Sequence, residues 1–545
     1  MRTSRVPFVC SLLFCLTTRS GQAAEPPKPE QLPGVRAAVQ VTALDVDVIA
    51  TTKDGKPVND LRREELSLSV DGKRVPLDYF ARVDAGTIHG PDLANASPEL
   101  VLESLKDPAG DRFVPRQFLV FFDDEHLLPW ERKPILEGLR DFVTRLAPSD
   151  SVSVVSYNAS ARILVPYTNS KEEILGGLNR LEKIAPRGLM WDSEYKTAAA
   201  ELRRTYGAAT RQAAIRSWSE QVKARETGTL EELRRAIAAL SGRAGKRILI
   251  YVSRGLEVRP GQTLVQTFGP SISQFDYSVY KELNDIIVEA NKAGVTIHAL
   301  DGKGLVAETD ASEPSPPPVS RFFLDTNLRE ALVAFSDETG GVLISQTNAL
   351  RPGLDAIYRE SATYYSIGVT LASLDPARKS FKLKVKTTRP GVDIKTRSNY
   401  GVRTADDSAR NRTEMALVTP SATGDFDVRF ETGTPKKGGG LGRRLIPFSV
   451  RIPVSEITFT QEGTARKASV DITVAAIEDT GAKSKVSPTR VPISIPADQW
   501  GKEGMDFFVY TGELKSGTGN IRFVASVRDT ASERMGLGAV MLRVE

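Results

Sequence analysis

Three carboxylates and an imidazole stand side by side at Asp123, Asp124, Glu125 and His126, directly after the apolar run Phe118-Leu-Val-Phe-Phe122. Side chains of these types hold hard cations, move protons or pair with bases. Two other apolar runs end in the same way. Residues 247–252 lead into Ser253-Arg254-Gly255, and residues 295–300 lead into Asp301-Gly302. In an open parallel sheet, sites form beyond the carboxyl ends of the strands. Those three loops, with the one around Pro186-Arg187-Gly188, therefore make one constellation. Its candidate partner-binding residues are Asp123, Asp124, Glu125, His126, Trp130, Arg187, Trp191 and Arg254.

Enzymatic readings find little here. The histidines are His89, His126 and His298. His298 lies in a buried strand and reads as a satisfied core residue. His126 reads as packing or capping at a helix start. Tyr251-Val-Ser-Arg-Gly255 lacks the first glycine of Gly-x-Ser-x-Gly, and Gly245-Lys246 lacks the remainder of a phosphate-binding loop. Adjacent acids on one loop cannot flank a glycosidic bond. No catalytic residue is assigned, and a hydrolase is the remote alternative.

The elements that must position these loops follow from the periodicity. From residue 117 onward, near-continuous apolar strands (118–122, 152–157, 163–165, 247–252, 295–300) alternate with helical spacing such as Ile135, Leu139, Phe142 and Leu146. That rhythm predicts a mainly parallel sheet with helices on both faces, a Rossmann-like α/β domain over 113–345. A charged helical insertion is expected at 190–226, broken into a hairpin at Gly207, and placed to cover the site edge or offer partner surface. A Pro-rich loop is expected at 305–320. Alternating strands and Asp-Gly-Lys turns predict a small β unit at 37–85 with a connector at 86–112. A helix plus β extension is expected at 346–400, a linker at 401–413, and an Ig-like antiparallel β-sandwich at 414–545.

Composition narrows the class. The 545-residue chain is 40% hydrophobic and 26% charged, ordinary for a multidomain globular protein. Residues 1–24 read as a signal peptide: basic at Arg2 and Arg5, apolar at 6–18, and cleavable after Ala23 or Ala24. Removing them takes away Arg2, Arg5 and Arg19, so the net charge falls from +5 to +2 and gives no argument for nucleic acid. Both cysteines, Cys10 and Cys15, would leave as well, and with them disulfides, thiol catalysis and Cys-zinc sites. A Pro-rich leader occupies 25–36. No later stretch has membrane-spanning length. The expectation is an extracytoplasmic protein, periplasmic or secreted.

The order of elements resembles the von Willebrand factor type A domain, and the flanking motifs sharpen this to the VWFA-related proteins of acidobacterial type. The motifs are Asp54-Gly-Lys-Pro-Val-Asn-Asp-Leu61, Leu66-Ser-Leu-Ser-Val-Asp-Gly72, Glu338-Thr-Gly-Gly341, Tyr364-Tyr-Ser-Ile-Gly368, Arg389-Pro-Gly391 and Arg397-Ser-Asn-Tyr400. The resemblance covers about residues 38–400. It implies a metal-ion-dependent adhesion site of Asp-x-Ser-x-Ser, a middle-loop Thr and a later Asp. Asp123 matches the first Asp, whereas Glu125 and Leu127 stand at the two serines. The middle loop, Gly188-Leu-Met-Trp191, offers no Thr, and Arg254 replaces the later Asp. What this implies is a binding or scaffolding protein for protein partners, with a degenerate site and no cofactor. Arg254 is expected to pair with Asp123 or Glu125 in place of a metal. The alternative is Mg²⁺ or Ca²⁺ on Asp123, Asp124 and Glu125.

Overall fold

The computed structural model describes residues 43–545 apart from 98–99, 102–103, 107–111, 206, 269–276, 305–317, 371–373, 375–379, 403–404, 419–423, 439–442, 479–483, 485 and 501–505. The expected signal peptide and leader, and most of the Pro-rich loop, lie outside the described residues.

The α/β region is built on six strands: β1 (Arg116–Asp123), β2 (Ser151–Asn158), β3 (Ser160–Thr168), β4 (Lys246–Ser253), β5 (Val295–Asp301) and β6 (Leu343–Ile344). Their order across the sheet is β3-β2-β1-β4-β5-β6. All neighbours run parallel except the β2–β3 hairpin. This is a doubly wound order whose direction reverses between β1 and β4, so the crevice beyond those two carboxyl ends is the place for a ligand.

Successive residues of β1 feed opposite faces. Phe118, Val120 and Phe122 join one core with α1 (Pro129–Arg145), α2 (Lys171–Glu182) and α8 (Arg351–Ala362). Leu119 and Phe121 join the other with the second half of α4 (Ala208–Ser241), α6 (Tyr280–Lys292) and α7 (Pro318–Thr339). A strand buried on both faces has no polar position to alternate with, which is why the run is continuously apolar. The expected insertion consists of α3 (Gly188–Arg204) and α4, separated at Gly207. It does not end at 226, because α4 continues as one 34-residue helix into the sheet core. The short α5 (Gln262–Phe268) follows β4.

Two further expectations are revised. The β unit of 37–85 is not closed on itself: strand Ala43–Thr52 pairs with Tyr364–Thr370 and Val392–Lys395, and Leu66–Val70 pairs with Ser380–Thr387. Leu44, Val46 and Leu68 are buried in one core with Ile367, Val369 and Leu383. Nine residues of 401–413 expected as linker, 405–413, begin the helix α9 (Ala405–Val418). Its Ala416 and Leu417 are buried against Ala475, Val524 and Leu537, so an apolar face the linker reading overlooked holds it helical. Beyond it, two β-sheets share one core through residues such as Val450, Ile472 and Phe523.

Candidate functional site

The four carboxyl-edge loops meet. Gly188 N–H donates to the Leu127 carbonyl (3.2 Å) and Arg187 N–H to the Asp124 carbonyl (2.7 Å). Gly302 N–H donates to the Ser253 carbonyl at 2.8 Å, and Arg254 Nε lies 3.5 Å from Glu131 Oε1. Gly255 holds its turn at φ +109°, and a Cβ there would sit 2.1 Å from the Leu328 carbonyl oxygen. Only glycine fits that approach.

Asp123 leaves β1 fully buried. Its Oδ2 accepts from His126 Nδ1, Tyr251 Oη and Ser253 Oγ, each at 2.7 Å. His126 is clasped on its other side by Glu226 of α4, whose Oε2 is 2.8 Å from Nε2. Burial alone disfavours a charged ring, but the two carboxylates outweigh it and hold the His126 pKa up to about 10. Glu226 is held below its ordinary value despite its burial, by His126 and by Arg225, which donates to Oε1 at 2.6 Å. Arg225 also approaches Glu257 at 3.7 Å and stacks 4.6 Å from the centre of the Trp191 ring. Burial, partly offset by Arg225, pushes Glu257 up to about 7.

The neighbouring acids are also met by cations. Asp124 Oδ2 accepts from Ser156 Oγ at 2.5 Å, and its Oδ1 is 3.3 Å from Arg132 Nε. Burial nevertheless pushes its pKa up to about 6. Glu125 accepts from Trp191 Nε1 (2.7 Å), Ala159 N–H (2.8 Å) and Arg187 (3.3 Å).

These contacts correct two expectations. Arg254 pairs with neither Asp123 nor Glu125. Asp123 Oδ2 and Glu125 are engaged by other donors, and the guanidinium turns to Glu131 on the first turn of α1. His126 neither caps nor simply packs at the start of α1, but joins the β1 loop to α4. The partner it finds, Glu226, lies a hundred residues downstream and had no local signal beyond a lone acid on a helix. His298 is buried, and its Nδ1 accepts from Val342 N–H at 3.0 Å.

The candidate partner-binding residues divide by exposure. Asp123, Asp124, Glu125 and His126 are buried, so in this conformation they touch no partner. The Trp130 side chain is outside at 63% exposure, and Arg187, Trp191 and Arg254 are half-buried. Leu189 and Met190, exposed by 48% and 37%, were not singled out from the sequence. An apolar pair on a charged helix reads as ordinary amphipathicity until its orientation is known.

Several of the oxygens a divalent cation would need here are already engaged. Mg²⁺ needs near-octahedral hard oxygens, yet Asp123 Oδ2 already takes three donors and Glu125 takes three more. Leu127, at a serine position of the adhesion motif, is fully buried hydrocarbon in the core. Among the described residues no group of three or more His, Cys, Asp or Glu is placed to hold a metal.

The sequence matches no protein-family profile and no curated protein. Among solved structures it is similar to proximal thread matrix protein 1 from the mussel byssus with a zinc-occupied MIDAS motif, at 14% identity over 48% of this chain and 49% of that one, TM-score 0.24. It is similar to BatB from Bacteroides thetaiotaomicron at 13% identity, over 45% of this chain and 96% of that one, TM-score 0.22. It is also similar to a von Willebrand factor type A protein from Catenulispora acidiphila at 9% identity, over 88% and 73%, TM-score 0.23. The chain thus spans about half the length of the mussel protein. At these scores the likeness assigns neither function nor partner. No helix among the described residues is long and apolar enough to cross a membrane.

Proposed function

We propose that this is an exported, non-enzymatic protein-binding or scaffolding protein of VWFA-related type, which docks partners at the carboxyl edge of its α/β sheet without a metal. The observation that carries the reading is the set of exposed apolar side chains at that edge. Trp130 follows Leu127 by three residues, and Leu189 and Met190 follow Gly188, whose N–H bonds the Leu127 carbonyl. Large exposed apolar side chains favour protein contact. Chemistry at the same edge lacks its parts. Both His126 nitrogens face carboxylates, and the Ser253 hydroxyl donates to Asp123, so no nucleophile stands beside a free base.

The test is capture from an extracytoplasmic extract by the full chain, with and without EDTA, and with Trp130→Ala combined with Met190→Ser. Capture of one protein that survives EDTA and falls at least tenfold with the double variant supports the reading. Capture that is indifferent to the variant refutes edge docking. Capture abolished by EDTA favours a metal-dependent adhesion module on Asp123 and Asp124, whose Oδ1 atoms have no hydrogen-bond partner.

A further inference from the structure

Helix α4 serves two separate cores. Leu230, Leu233, Ile237 and Leu240 of its second half pack into the sheet. Ile215, Trp218 and Val222 of its first half pack with Ala199 and Leu202 of α3 and Leu264 of α5. None of these six residues belongs to either sheet-face core. The first half of α4, α3 and α5 are therefore a satellite body with hydrophobic cohesion of its own.

Between the two halves runs Glu226-Thr-Gly-Thr229. Gly and Thr are poor helix formers, and a mid-helix Gly loosens the helix about fivefold relative to Ala. The glycine has a steric reason: a Cβ on Gly228 would lie 3.1 Å from the Tyr157 hydroxyl, where α4 crosses β2. The close crossing thus places the most pliable residue of the helix at the border between its two cores.

What joins α3 and the first half of α4 to the sheet edge is polar, while α5 also packs against α7. Glu226 meets His126, Arg225 meets Glu257, and Trp191 and Arg187 both meet Glu125. Water or a partner can replace such contacts, whereas apolar cohesion resists parting. Sub-global units held this way open below the global unfolding limit.

We propose that α3, the first half of α4 and α5 form a hinged cover that swings on Gly228 and uncovers Glu125 and His126. The cover gives those two residues, closed off in this conformation, a route to a docking partner. That last role rests on reading the carboxyl edge as the binding surface.

Native-state hydrogen exchange of the full chain, followed by mass spectrometry with no partner present, tests the hinge. Amides of α3, of residues 208–222 and of α5 should share one opening rate, at least tenfold faster than residues 230–240. Glu226→Gln should speed the satellite by roughly a hundredfold or more, the loss expected for one partner of a buried pair, and leave 230–240 unchanged. Gly228→Ala, made with Tyr157→Phe to clear the 3.1 Å contact, should slow it about fivefold relative to Tyr157→Phe alone. Satellite amides that exchange with the core at one slow rate in both the parent and Glu226→Gln overturn the proposal. Three helices that open at unrelated rates overturn it as well. Because no partner is present, a failed hinge leaves edge docking intact, and failed docking leaves the hinge intact.

Discussion

Replacing Asp123 by Ala is the sharpest probe of how the edge is built. Its Oδ2 is the common acceptor for His126, Tyr251 and Ser253, and its side chain is fully buried. Ala would leave three donors in a dry site, each costing about 1–3 kcal/mol if nothing replaces the acceptor. The Ser253 hydroxyl can rotate and His126 keeps Glu226, so the lower part of that range applies. The expected loss is about 3–5 kcal/mol, the figure for removing one member of a buried pair. Urea unfolding of the full chain, read by fluorescence, measures it. Trp191 bonds the adjacent Glu125 and reports the edge. Asp123→Asn keeps an acceptor and should fall between parent and Ala. Added Mg²⁺ should leave the melting temperature of the parent unchanged. A loss below about 1 kcal/mol for Ala would refute the acceptor role. A Mg²⁺-dependent rise in the parent, absent from the variant, would refute the fit argument against a cation.

Two other outcomes follow from the same geometry. The folded-state pKa of His126 is raised to about 10 from an ordinary 6.5, so its contribution is complete below pH 6.5 and is lost as pH climbs toward 10. Urea stability of the parent should fall across that window, with a smaller fall in His126→Gln, and equal slopes would contradict the charged clasp. Gly255→Ala should cost about 2–4 kcal/mol, because it adds a Cβ 2.1 Å from the Leu328 carbonyl at φ +109°. A neutral effect in the same urea assay would mean the β4 loop is looser than described.

Much of the scaffold was legible because its causes are local. The runs 118–122 and 248–252 are continuously apolar, and 295–300 is mostly so, because each strand is buried on both faces, and each ends in polar residues where it leaves the sheet. That alone placed Asp123, Ser253 and Asp301 at one edge. Gly207 parted the two insertion helices because glycine is a poor helix former, and it stands as the N-cap of α4. The β unit of 37–85 was misjudged as self-contained because strand pairing is nonlocal. Nothing in Leu44 or Leu68 says that its cover comes three hundred residues later.

The sequence by itself determined the alternating α/β rhythm and the loops that gather at the carboxyl edge. Tertiary structure alone decided what the acids do there. Asp123 holds His126, Tyr251 and Ser253, Glu125 holds Trp191 and Arg187, and Arg254 goes to Glu131. The physical reason is that a buried charge must be met by whichever opposite charge or donor the fold brings within about 3 Å. For His126 that partner is Glu226, delivered by a helix whose path depends on a core formed far along the chain.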